Sequence, residues 1–342
     1  AGGLLQINGG GFVNTKSYAA FGQASYEITE RLGLTLGGRY TIDDKSFEGT
    51  EEDINFFYSK IGFTSDMFPD PNDLARLYPV GIFEDTFNSF DIRVGLDYKI
   101  NKDVLVYASY STGFKSGGWT TRLTAPLLEA PRFDPEEAKT YEIGLKSEIA
   151  NKLRFNAAAF FTDYTNLQIV VQRAVSPFLE NAAEAEIKGL EFDLKYVANK
   201  RLSLTGGLGL LEGKYTRIDE GAAITTDNKL VNAPSLSGSM ALDFTTPFSS
   251  GAKVVLHGDY FFKSTVYNNA ENTPSLVQDP IGVLNLSATY TSPDSKWNFS
   301  IGARNATNVS YITSGFFQPG VGYTLGTHNR PRYLYTTLGF SL

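Results

Sequence analysis

Apolar and polar residues alternate along most of this chain. In FDIRVGLDYKI, Phe90, Ile92, Val94, Leu96, Tyr98 and Ile100 fall on one side, with Asp91, Arg93, Asp97 and Lys99 on the other. LGLTLGGRYTID repeats the pattern: Leu32, Leu34, Leu36, Tyr40 and Ile42 oppose Thr35, Arg39, Thr41 and Asp43. Successive side chains of a β-strand point to opposite faces, so a period of two predicts strands with one greasy and one wet face. The same alternation covers Tyr141 to Ile149, Leu153 to Phe161, Lys188 to Ala198, Leu202 to Leu210 and Leu236 to Phe244. It continues over Val254 to Phe262, Leu284 to Tyr290, Trp297 to Ala303 and Leu334 to Leu342, and runs less cleanly through Ser17 to Ile28 and Val104 to Phe114. About thirteen strands of roughly ten residues are predicted, each long enough to cross a bilayer at a tilt.

The connections are of two kinds. Short polar turns at Thr29-Glu30-Arg31, Asn101-Lys102-Asp103, Ala150-Asn151-Lys152, Asn199-Lys200-Arg201, Phe248 to Gly251 and Pro293-Asp294-Ser295 join the strands into hairpins. Between hairpins the loops are long: Lys45 to Phe87, Lys115 to Glu137, Leu167 to Glu184, Arg217 to Asn232, Asn268 to Asp279 and Val309 to Arg330. One plain end and one elaborate end is how outer-membrane barrels are built, with short periplasmic turns and long extracellular loops. A soluble β-sandwich would share the alternation. Strand length, loop asymmetry and tyrosines near strand ends (Tyr26, Tyr40, Tyr98, Tyr164, Tyr196, Tyr260 and Tyr290) favour a transmembrane, antiparallel, up-and-down β-barrel of all-β class.

Closed bacterial barrels have an even number of strands, so an odd count implies that earlier strands are absent from this chain. Ala1 to Lys16 then reads as the tail of an extracellular loop. On the lipid face Leu34 is expected near mid-membrane, where Leu34→Arg disrupts assembly and Thr35→Arg does not.

Composition narrows the chemistry. Apolar residues make up 42% of the 342, slightly low for one deep core, and no cysteine is present. The net charge of -7 argues against nucleic acid as a partner. No apolar run is long enough for a transmembrane helix, and AGGLLQINGGGFVNTK lacks the pattern of a secretion signal. Of the two histidines, His257 falls on a wet face beside Asp259, and His328 lies in GTHNRPR of the last long loop. Neither has a second ligand at metal spacing, and no phosphate-binding loop or serine elbow occurs. The glycines of Gly206-Gly207-Leu208-Gly209 read as a close approach or bend within a strand. No metal site, cofactor or catalytic group is therefore expected; a hydrolase using His257 is the competing class, without an identifiable serine. Asp43, Asp44, Glu48, Glu51, Glu52 and Asp53 form a dense acidic loop mouth, read as solvated or as holding a divalent cation. Asp66, Asp70 and Asp73 are expected to make turns among prolines.

Five blocks carry a resemblance: YAAFGQASYEITERLGLTLGGRYTIDDKSF, YASYSTGFKSGGW, FDPEEAKTYEIGLKSEIANKLRFNAAAFFTDYTNLQ, IKGLEFDLKY and ARNATNVSYI. In this order they resemble the C-terminal barrel portion of TonB-dependent outer-membrane receptors, particularly the siderophore type. The resemblance implies a barrel of roughly 22 strands occluded by an N-terminal plug. On that reading residues 1–342 are the C-terminal part of one barrel domain, with the plug, the TonB-contacting segment and the first strands absent. The implied function is import of a scarce ligand, most often a ferric siderophore, with cobalamin, haem or oligosaccharide as other cargoes; a passive porin-like channel is the second class. Implied partners are the TonB complex through the absent region, outer-membrane lipid and lipopolysaccharide, and the barrel assembly machinery, for which YTTLGFSL offers Phe340 and Leu342.

The ligand is expected at the long loops, where Trp119, Arg122, Tyr267, Phe316, Phe317, Tyr323 and His328 are the candidates. Aromatic rings give flat contact for a planar chelate, and Arg pairs with an anionic iron complex. Arg39, Arg93, Lys99, Lys146, Arg154 and Arg304, with Asp91, Asp97, Glu142, Glu148 and Asp193, are expected to wet the barrel wall.

Overall fold

The computed structural model describes residues 5–173, 176–220, 222, 224–318 and 322–341. Thirteen strands form one antiparallel sheet in chain order. They are β1 Gly11–Glu27, β2 Leu32–Gly49, β3 Phe83–Lys99, β4 Val104–Lys115, β5 Glu136–Ile149, β6 Leu153–Arg173, β7 Ser176–Asn199, β8 Leu202–Ile218, β9 Leu236–Pro247, β10 Lys253–Lys263, β11 Ile281–Thr291, β12 Trp297–Arg304 and β13 Tyr333–Phe340. The strand number and the six tight turns are as the alternation predicts. At one of these turns Ala150 and Asn151 both take positive φ, near 51° and 52°, which reverses the chain within three residues.

The apolar face of the sheet is bare. Leu36, Phe90, Ile143, Met240, Ile301 and Leu338 all lie on it by register, and each is at least half exposed. No second layer covers them among the described residues. A water-soluble sandwich would bury this face, so the arrangement fits acyl chains instead. Register marks where the apolar belt ends. Leu190 pairs with Leu210 on that face, and two residues further Lys188 and Glu212 form an ion pair of 3.2 Å, followed by Lys214 and Glu186 at 3.1 Å. On β1 the belt runs from Tyr26 through Ala24, Gly22 and Ala20 to Tyr18, a ring at each boundary with small residues between. Leu34 pairs with Tyr26 and so lies at the inner boundary; the middle falls at Gly38 and Ile92, with Leu36 and Val94 beside them. The expected mid-membrane position of Leu34 is corrected accordingly.

The wet face is the concave one. Gln23, Thr35, Arg93, Asp97, Tyr107 and Glu142 line a depression of about 320 Å³ on it. The Oγ of Ser25 and the Oγ1 of Thr35 share a hydrogen bond of 3.0 Å, Tyr107 donates to Glu142 at 2.7 Å, and Arg154 meets Glu148 at 3.0 Å. Lys99 reaches Glu27 at 3.0 Å, and Arg304 lies 3.7 Å from Asp259. These exposed pairs hydrate the wall and add little stability each.

Three features depart from the sequence reading. β1 begins at Gly11, so the segment read as a loop tail is half strand, and Ile7–Asn8 pairs with Glu52–Asp53. The loop expected over Leu167 to Glu184 is a β-hairpin: β6 and β7 stay paired to Arg173 and Ser176, passing a bulge between Tyr164 and Gln168. That bulge, with Asn166 at φ 53°, shifts the register and hides the continuation of the strand from a period-two reading. The last long loop contains another hairpin, Ile312–Gln318 with Tyr323–His328.

Packed residues collect beyond the outer ends of the strands. Phe47, Tyr78, Trp119 and Leu123 form one buried cluster, and Tyr58, Phe68 and Leu77 a second beside a one-turn helix at Phe57–Lys60. Ile169, Val171, Ala183, Tyr215 and Leu230 belong to a third. The molecule's dry core is therefore a layer of loops and strand tips above a sheet whose own apolar side faces outward.

Candidate functional site

A cavity of about 520 Å³ opens within the loop layer at the long-loop end. Its floor comes from inward positions of three strands. Tyr164 on β6 pairs with Ala185 on β7, which pairs with Tyr215 on β8, so two phenol rings flank a small side chain. Leu167, Gln168, Ile169 and Val170, just past the bulge in β6, supply one wall. Leu230, Val231 and Ala233 come from the loop after β8, and Asn268 to Glu271 from the loop after β10. Phe316 and Phe317 on the last hairpin close the rim.

Hydrogen bonds fix the two loops to each other. Asn228 Nδ2 donates to the Ala270 carbonyl at 3.2 Å, and Asn272 Nδ2 to that of Lys229 at 3.0 Å. Asn268 Nδ2 donates to the Leu276 carbonyl at 2.8 Å, and Asn269 Nδ2 to Glu271 Oε2 at 2.7 Å. The hairpin closes down on Leu276, which is fully buried, and a Cβ at Gly315 would stand 2.3 Å from its Cδ2. Only glycine permits that approach.

Of the candidates read from sequence, Phe316 and Phe317 line this cavity. Tyr267, adjacent to Asn268, is half-buried in a short pairing of Val266–Tyr267 with Val277–Gln278. Tyr323 and His328 are exposed on the partner strand of the hairpin, opposite Gln318 and Ile312. Trp119 sits in the Phe47–Tyr78 cluster and borders a separate cavity of about 410 Å³. Arg122 is exposed and borders neither. Phe340 is exposed on the lipid face opposite Trp297, and Leu342 lies outside the described residues. Tyr164, Tyr215, Gln168, Asn268 and Glu271 were missed. Tyr164 was read as an outward girdle residue, yet it sits on the parity of Thr162, Phe160 and Asn156, which face inward; parity was the signal available for it.

The acidic loop mouth divides in two. Glu51 and Asp53 are buried, at 3% and 0% exposure, and Asp53 Oδ2 accepts the Tyr58 N–H at 2.9 Å. Burial raises the Glu51 carboxyl above its ordinary value, with a backbone N–H and Arg76 pulling the other way. Asp44 stays exposed and accepts from Thr86 Oγ1 at 2.8 Å. Asp70 and Asp73 make the expected turns, accepting the N–H of Asn72 and Ala75 at 2.9 and 3.1 Å. Among the described residues no three His, Asp or Glu side chains gather as a metal site.

His257 faces inward, as alternation predicts. Its Nδ1 lies 2.8 Å from Asp243 Oδ1 and its Nε2 3.2 Å from Asp259 Oδ1. Ser287 is its cross-strand neighbour, and both ring nitrogens meet carboxylates.

Comparison with known proteins agrees with this architecture. The family model described as TonB dependent receptor-like, beta-barrel matches residues 3–306. The metal-pseudopaline receptor CntO of Pseudomonas aeruginosa is 28% identical over 149 residues, 43% of this chain and 20% of that receptor. The probable TonB-dependent siderophore receptor PiuA of Acinetobacter baumannii is 23% identical over 202 residues, 54% of this chain and 26% of that protein. Among solved structures, the ferric yersiniabactin uptake receptor FyuA from Yersinia pestis superposes with a TM-score of 0.78 at 19% identity, covering 97% of this chain and 46% of FyuA. The PiuA structure gives 0.70 at 17%, covering 95% and 42%. The chain thus spans under half the length of those two receptors. With a lipid-facing belt, a wet concave wall and a family match over nearly all its strands, the chain belongs to the TonB-dependent receptor β-barrel family of the bacterial outer membrane, a family of receptors and not of enzymes.

Proposed function

We propose that this chain forms part of the barrel and of the outer binding mouth of a TonB-dependent importer of ferric siderophore. The observation that carries the reading is the roofed cavity at the long-loop end of a sheet of this family. The names of its relatives point the same way: FyuA takes up ferric yersiniabactin, PiuA is a siderophore receptor and CntO a metal-pseudopaline receptor. On this reading Phe316 and Phe317, with Tyr164 and Tyr215, grip the chelate. Tyr323 and His328 meet it on approach from the open side of the hairpin, and Arg122 at the loop surface; Tyr267 and Trp119 hold the mouth in shape. The importer is coupled to TonB, the apolar belt is solvated by lipid and lipopolysaccharide, and Phe340 with Leu342 is read by the assembly machinery. The chemistry is capture and transport, without bond making.

Deleting the gene should abolish growth on one ferric chelate as sole iron source, with rescue by the gene only in TonB-competent cells. Unchanged uptake of every ferric chelate tested would sink the reading, and TonB-independent solute flux through the restored protein would mark a passive channel.

A further inference from the structure

The cavity has a charge signature that narrows its cargo. Its ionisable acids are Glu136 and Glu271, and among its described lining residues there is no Lys, Arg or His. Glu136 has a cation within reach, Lys115 at 3.7 Å, and its Oε2 also accepts the Gln168 N–H at 2.8 Å. Glu271 receives the Asn269 amide, with no ion pair among the described residues. Arg217, near the top of β8, is engaged by Glu184 and Asp219. Of the residues whose side chains lie outside the description, Arg173 alone carries a charge.

Gln168 holds the wall on one side of the cavity. Its Nε2 donates to the carbonyls of Ser116 and Asp134 at 3.1 and 2.9 Å, which fixes the amide's orientation. Its Oε1 is buried without a partner, in a residue 7% exposed that stands between this cavity and the neighbouring one of about 410 Å³. A buried acceptor left unmade is costly, and it is tolerated here by an amide pinned through its Nε2 within the wall.

An anionic complex entering this space would shed its water, find carboxylates and meet no lining cation. A neutral complex would lose little and cover apolar wall. Resting on the receptor reading above, we infer that the cargo is a metal chelate of zero or positive net charge, with an apolar periphery and at least one N–H or O–H donor. Glu271 accepts from it, and the multiply anionic tris-catecholate class is discriminated against.

The test is equilibrium binding to the intact receptor containing this chain, purified in detergent, by quenching of intrinsic fluorescence. The probes are a neutral ferric trihydroxamate and a trianionic ferric tris-catecholate of similar size. The neutral complex should bind roughly 100-fold tighter. Glu271→Lys should strengthen the anionic complex by about 10-fold while Glu271→Gln, which keeps an acceptor for Asn269, moves it less. Tighter binding of the tris-catecholate, indifferent to both substitutions or lost in Arg173→Gln, overturns the charge assignment and leaves the receptor reading intact. Failure of both probes to bind overturns this inference, while the receptor reading is decided by the growth of the deletion strain.

Discussion

At the residue scale, the two faces of a strand obey different rules. Val94 and Leu36 pair near the middle of the apolar belt, whereas Leu34 lies level with Tyr26 at its inner boundary. Val94→Arg should therefore cost roughly 2 to 4 kcal/mol, Leu34→Arg about 0 to 1, and Thr35→Arg, on the wet wall, little beyond its bond to Ser25. Urea titration of the lipid-reconstituted receptor ranks the three; equal losses at Val94 and Thr35 would contradict the assignment of faces. Gly315 is governed instead by contact. Gly315→Ala drives a methyl into Leu276 and should lift the Phe316–Phe317 rim at a local cost of about 1 to 3 kcal/mol. Weaker chelate binding with an unchanged barrel melting temperature is the expected readout. Parity made most wet and greasy positions readable from the chain, and Tyr164 shows where it was not applied: ring position near a strand end was given more weight than which side of the strand it occupied.

At the element scale, the loop layer behaves as a small globular unit seated on the sheet. Tyr78 is fully buried, stacks edge-on against Phe47 at 5.0 Å and donates to the Thr120 carbonyl at 3.1 Å. Tyr78→Ala should destabilise that layer by about 3 to 5 kcal/mol while leaving the strands folded. In a Trp297→Phe background, with Trp119 as the sole tryptophan of this chain, its fluorescence reports the layer's own melting. The same signal tests Glu51. A carboxyl whose pKa is raised by burial contributes its full stability below the ordinary carboxylate value and loses it as pH rises through the raised one. The Trp119 midpoint should thus fall as pH climbs past the usual carboxylate range, and Glu51→Gln should flatten that slope; a midpoint rising with pH would reverse the assigned sign. Beyond the turns at Asp70 and Asp73, the packing of this layer was not legible in the sequence. Its residues come from strand tips and loops distant along the chain, such as Phe47, Tyr78 and Trp119, and they carry no common period. Register shifts after Tyr164 likewise concealed a paired hairpin where a loop was expected.

On the scale of the whole molecule, strand count, turn positions and outward greasiness were all present in the pattern, because lipid imposes one rule on every strand at once. The mouth was not, since four strands and three loops meet there only after folding. The sheet has one further property: among the described residues, β1 and β13 each pair with a neighbour on a single side. Hydrocarbon offers no water to the bare N–H and C=O groups along those two margins, so a lone 342-residue ribbon must recruit foreign strands to them. Expressed by itself it should run as mixed higher-order species on size exclusion in detergent, becoming a single discrete particle when fused to enough further strands for the ring to meet. Monodisperse behaviour of the lone ribbon would show that its margins are sealed in some other way.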